Sequence, residues 1–154
     1  MGDSNRIVTT GFSKSSDRQC GIWDVSNIQT PLKMENLDTS SGIIIPYYDM
    51  DTKMLYLAGK GDGNIRYFEV TEEDPYMHYL SEYKSSEPQR GIGFMPKRFL
   101  NVTENEVCRA FKVTPTMVEP ISFKVPRKVQ NSLISSLTSS NMTFSPRPLQ
   151  ESPP

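Results

Sequence analysis

The chain is 154 residues long and nearly neutral, with 17 basic against 18 acidic side chains. That balance argues against nucleic acid or an anionic membrane as a bulk partner. Twelve prolines and an apolar content of 36% favour a turn-rich fold over long helices, and no apolar run is long enough to span a bilayer as a helix.

In chain order, residues 1–6 are polar and are expected to be disordered. Met-Gly-Asp-Ser-Asn-Arg holds no signal-peptide core, and Arg6 stands where myristoylation favours Ser or Thr. A cytoplasmic location is expected. Residues 7–12 read as a strand, 13–18 as a turn and 19–25 as the next strand. Pro31-Leu32 breaks the run, and 33–37 is a short outer strand. Gly42-Ile43-Ile44-Ile45-Pro46 is an unbroken apolar run, as in a strand buried on both faces.

Residues 54–70 carry the strongest local signal. Met54 to Ala58 and Ile65 to Val70 are apolar and aromatic, and Gly59-Lys60-Gly61-Asp62-Gly63-Asn64 lies between them. An Asp-Gly step between two apolar runs predicts a hairpin, because Gly tolerates positive φ and Asp bonds its own turn. Residues 76–83 supply an outer strand. Gly91-Ile92-Gly93-Phe94-Met95-Pro96 then echoes residues 42–46, and a weaker strand is expected after Phe99. Strands over 106–113 and 119–125 follow. From Ser132 onward Ser, Thr and Pro dominate, which predicts a disordered tail over 129–154.

The second arm of the hairpin recurs. Cys20-Gly21-Ile22-Trp23-Asp24-Val25, Ile65-Arg66-Tyr67-Phe68-Glu69-Val70 and Cys108-Arg109-Ala110-Phe111-Lys112-Val113 share an aromatic at the fourth place and Val at the sixth. Asp17, Asp62 and Asn105 stand three residues before each copy, as turn formers. A period of roughly 40–45 residues built of strands predicts propeller blades of four strands each. The expected fold is therefore all-β: about two and a half blades of a WD-repeat propeller over 7–128, the first lacking its innermost strand. Trp23, Phe68 and Phe111 are expected to pack between blades.

Little in the sequence points to catalysis. The glycine loop lacks a Gly-Lys-Ser/Thr ending and precedes a strand, not a helix. Asp17 and Asp62 read as turn residues rather than catalytic carboxylates. His78 is the only histidine, too few for a zinc site or a Ser-His-Asp set. Cys20 and Cys108, at equivalent repeat positions, read as buried small hydrophobes rather than a disulfide. No enzyme, metal site or cofactor is expected. Lys97-Arg98 and Arg127-Lys128, each beside a proline at a strand end, are the basic pairs placed to meet a partner on rim loops.

Those residues resemble the coronins, actin-binding WD-repeat proteins. The likeness rests on Gly11-Phe12-Ser13-Lys14 with Asp17-Arg18-Gln19 and Trp23-Asp24, and on residues 37–69, the strongest stretch. Tyr79-Leu80, Gln89-Arg90-Gly91, Met95-Pro96-Lys97-Arg98 and residues 119–128 continue it. Phe99 stands where the family usually has Gly. The resemblance implies the later blades of a propeller of about seven, filamentous actin as partner, and a place in the actin cytoskeleton. It makes Lys97, Arg98, Arg127 and Lys128 candidate actin contacts. The family's early blades and coiled-coil tail have no counterpart in these residues. An alternative reading is a coronin paralogue without actin affinity, a structural piece that pairs with another chain completing the propeller.

Overall fold

The computed structural model describes residues 1–2, 4–126 and, as backbone alone, 145–146. They are all-β, in three antiparallel sheets. The chain divides into two compact units, the first running to Ile92 and the second starting at Gly93.

In the first unit, β1 (Arg6–Phe12), β2 (Arg18–Asp24) and β3 (Lys33–Asp38) form a three-stranded sheet in chain order. Among the described residues β1 is the edge strand of this sheet, in line with the expectation that the first blade lacks its innermost strand. A second sheet runs β4 (Ile44–Asp49), β5 (Met54–Gly59), β6 (Asn64–Val70) and β7 (Met77–Lys84), again in chain order. Pairing of Leu57 with Arg66 and of Tyr56 with Tyr67 sets the register of the central hairpin.

Strand alternation decides where the core sits, since neighbouring side chains point to opposite faces. Cys20 and Ile22 of β2 pack with Leu55, Leu57, Phe68, Val70 and Met77 of the second sheet. Val8, Leu37 and Ile44 close the edges of that cluster. The intervening β2 residues, Gln19, Gly21 and Trp23, belong to the other face. Every residue of β5 is buried, which accounts for the absence of alternation in its sequence.

The third sheet departs from the expected order. β8 (Gly91–Phe94) lies directly beside β9 (Glu106–Val113), which pairs with β10 (Val118–Lys124). β9 is the repeat counterpart of β6, so β8 holds the place of β5, not that of β4 as its sequence echo suggested. The weaker strand expected after Phe99 does not form. Residues Lys97–Phe99 and Val102–Glu104 make two 3₁₀ turns instead. Pro96 enters the first with φ −57°, and Asn105 closes the second in the left-handed region at φ 55°. Asn tolerates that conformation because its short polar side chain bonds locally.

The expected tail over 129–154 lies outside the described residues except for β11 (Ser145–Pro146). β11 pairs with Ile121 and Ser122 on the outer edge of β10.

Candidate functional site

An ion-pair cluster sits at the turn end of the two sheets of the first unit. Arg18, 2% exposed, opens β2. Its Nε and Nη2 donate to the two carboxylate oxygens of Asp38 at 2.6 Å each. Nη2 also donates to Asp62 Oδ2 at 2.7 Å, and Nη1 to the Gly42 carbonyl at 3.1 Å. Arg66 Nη1 reaches Asp38 Oδ2, the oxygen that Arg18 Nη2 also binds, at 2.7 Å. The bidentate fork matches the planar guanidinium to the carboxylate. Its hydrogen bond to Arg18 holds the Asp38 carboxyl far below the ordinary carboxylate range, against the smaller opposing effect of burial.

The hairpin turn is built to admit that contact. A Cβ on Gly59 would lie 2.1 Å from Asp62 Oδ2 and 2.3 Å from Arg18 Nη1, so only glycine leaves room for the pair. Gly61 adopts φ +91°, which glycine tolerates best. Gln89, buried, ties the turn down from outside. Its Nε2 donates to the carbonyls of Gly59 and Asn64 at 2.9 and 2.8 Å. Its backbone exchanges bonds with Gly61 and Asp62 at 2.7 and 2.8 Å.

The second unit holds a smaller cluster. Arg109 Nε and Nη2 donate to the two oxygens of Glu106 at 2.7 and 2.5 Å. The Asn101 N–H adds a bond at 2.7 Å, and the Ser122 hydroxyl donates to the same carboxylate. Burial pushes the Glu106 carboxyl up, but Arg109, Asn101 and Ser122 together bring it below its ordinary value. Both clusters join strands to turns. Among the described residues, no group of three or more His, Cys, Asp or Glu side chains is placed to hold a metal ion.

The residues singled out from sequence fall in different places. Asp62 lies in the hairpin turn, with its N–H on the Gly59 carbonyl at 3.1 Å and its carboxylate on Arg18. Asp17 lies in the β1–β2 turn and accepts from the Ser13 hydroxyl at 3.0 Å. Phe68 is 3% exposed, in the core between the first two sheets. Trp23, its repeat counterpart 45 residues earlier, is only half-buried and donates Nε1 to Thr9 Oγ1 at 2.7 Å. Phe111 is half-buried on β9. Lys97 and Arg98 sit on the first 3₁₀ turn, with the Arg98 guanidinium 4.8 Å from the centre of the Phe99 ring. Arg127 and Lys128 lie outside the described residues.

Sequence reasoning missed Arg18, Asp38, Arg66 and Gln89 as parts of the first cluster and Glu106 as the centre of the second. Arg18 reads as the end of a turn, and its partners lie 20 and 44 residues away.

Repeated antiparallel sheets, an aromatic recurring at one strand position and turns locked by polar contacts define a class of fold. The WD40 domain of Toxoplasma gondii coronin superposes on the chain with a TM-score of 0.75 at 33% identity, over 83% of this chain and 33% of that one. The three sheets are thus blades of a WD40 propeller. No family model matches, but individual relatives do. Coronin-A of Dictyostelium discoideum is 56% identical over 124 residues, 80% of this chain and 28% of that protein. Coronin-like protein crn1 of Schizosaccharomyces pombe is 56% identical over 133 residues, 85% of this chain and 22% of that protein. The chain belongs to the coronin family and corresponds to the C-terminal part of its propeller. It spans about a quarter of the length of these two relatives.

Proposed function

We propose that the chain is a non-catalytic interaction module of the actin cytoskeleton, cytoplasmic, that binds filamentous actin through basic rim residues. The family likeness carries this reading. The position of Arg98, exposed on a short turn at the end of β8, supports a contact there. Lys97, Arg98, Arg127 and Lys128 are the candidate contacts. Binding between charged rims weakens as salt screens it. The test is co-sedimentation with actin filaments at low and raised salt, for the wild type and for a variant with all four residues changed to Glu. Loss of pelleting in the variant supports the assignment. Equal pelleting removes these residues from the contact, and a wild type that stays in the supernatant at low salt refutes actin binding.

A second reading has its own observation. Phe68 is covered by the first sheet, whereas its counterpart Trp23 lies on a face with exposed Ile7 and Met34. Ile7 pairs with Trp23 and Met34 with Gly21 across the strands, so these residues share that face. An apolar blade face that the described residues leave open favours association with a further blade, which a second chain could supply. Analytical ultracentrifugation decides it: a compact monomer at roughly tens of micromolar counts against this reading.

A further inference from the structure

The segment between β8 and β9 exposes apolar side chains on a backbone that is tightly bonded. Phe99 N–H donates to Pro96 at 3.0 Å and Leu100 N–H to Lys97 at 3.1 Å. Glu104 N–H donates to Asn101 at 3.1 Å, and Asn105 N–H to Val102 at 3.1 Å. The Glu106 carboxylate fixes Asn101 from below. On this frame Phe99 is 57% exposed and Val102 73% exposed. Arg98 lies over the Phe99 ring, so the guanidinium and the ring present one surface.

Such exposure contributes nothing to the core. It does match the centre of a binding patch, where an aromatic and an arginine give most of the affinity and a rigid frame limits the ordering cost. The chemistry favours a protein surface over a lipid one. Recognition of anionic lipid needs clusters of about four to eight basic residues. This segment has two, and Glu104 stands on the second turn. The partner that fits is an acidic protein surface with an apolar recess.

We propose that Phe99, held under Arg98, is the apolar anchor of the contact with filamentous actin. The proposal rests on the actin reading above and adds to it a residue that is this chain's own, since Phe99 stands where the family likeness leads to Gly. Lys97 and Arg98 supply the salt-sensitive part of the affinity, and Phe99 the part that survives salt.

The experiment is co-sedimentation of the full chain with actin filaments at low and raised salt, beside pelleting with phosphatidylserine-containing vesicles. The proteins are the wild type, Phe99→Ala, Phe99→Leu and the double variant Lys97→Ala/Arg98→Ala. Phe99→Ala weakens actin binding about tenfold at both salts, and Phe99→Leu recovers part of it. The double variant weakens binding chiefly at low salt. If the wild type pellets with actin and Phe99→Ala pellets equally, the anchor is wrong while actin binding stands. If the wild type does not pellet at low salt, both fail. A lowered melting temperature in Phe99→Ala makes the ring a folding residue and overturns the proposal. So does a loss of vesicle pelleting in Phe99→Ala with actin binding unchanged.

Discussion

Arg18 is the side chain whose removal tests the architecture most directly. It is 2% exposed and holds two carboxylates, one in its own sheet and one in the turn of the next. Arg18→Met keeps most of the stem's packing and removes the fork. Breaking a buried pair by deleting one partner costs about 3–5 kcal/mol, because the remaining charge is left without compensation. Two features place this case at the lower end. Asp38 keeps Arg66 at 2.7 Å and is 25% exposed, and Asp62 is 16% exposed, so water relieves part of the loss. The expected cost is therefore about 3 kcal/mol. With a slope of about 2 kcal/mol per molar, the urea midpoint falls by about 1.5 M.

The pH dependence gives a second readout. Asp38 titrates lower in the folded than in the unfolded chain. Its contribution to stability is complete above the unfolded carboxylate value, near 4, and is lost as pH falls through the folded one. Urea midpoints measured from pH 6 downward should fall more steeply for wild type than for Arg18→Met. A loss under about 1 kcal/mol, or parallel pH profiles, would refute the view that this cluster joins the two sheets.

Other outcomes follow from individual contacts. Burial pushes the Cys20 thiol up to about 12, and Cys108 is also buried; Ellman's reagent at pH 8 should find neither in the folded protein and both in denaturant. Glu106→Gln breaks the pair with Arg109 and should cost about 3 kcal/mol by chemical denaturation. Glu106 has a lowered folded value, so its contribution is present above the ordinary carboxylate range and is lost on acidification through that folded value; the variant should flatten the acid limb of the stability curve. Gly59→Ala forces a Cβ into Arg18 and Asp62 and should lower the urea midpoint by about 1 M or more. Gly11→Ala meets nothing within 4 Å and should leave the midpoint nearly unchanged.

The local period of the chain decided a good deal without tertiary information. Turn chemistry at residues 59–64 located the central hairpin, since Gly and Asp suit the backbone that a tight turn needs. Recurrence of Trp23, Phe68 and Phe111 at one strand position gave the repeat, because each blade presents the same residue type at that place. The third sheet was less legible. Gly91 to Pro96 resembles residues 42–46 in composition, yet only pairing with β9 shows which place it fills, and pairing depends on residues far apart in sequence. Pro96 at the entry of the first and left-handed Asn105 at the close of the second bound two 3₁₀ turns where apolar residues alone suggested a strand. Arg18 shows the limit most clearly. It reads as the end of a turn, but the carboxylates that make its burial tolerable come from Asp38, brought opposite by strand pairing within its own sheet, and from Asp62, brought within hydrogen-bond reach by the packing of a second sheet. Likewise Trp23 and Phe68 are alike in sequence; one is buried and the other half-open because a second sheet covers only Phe68.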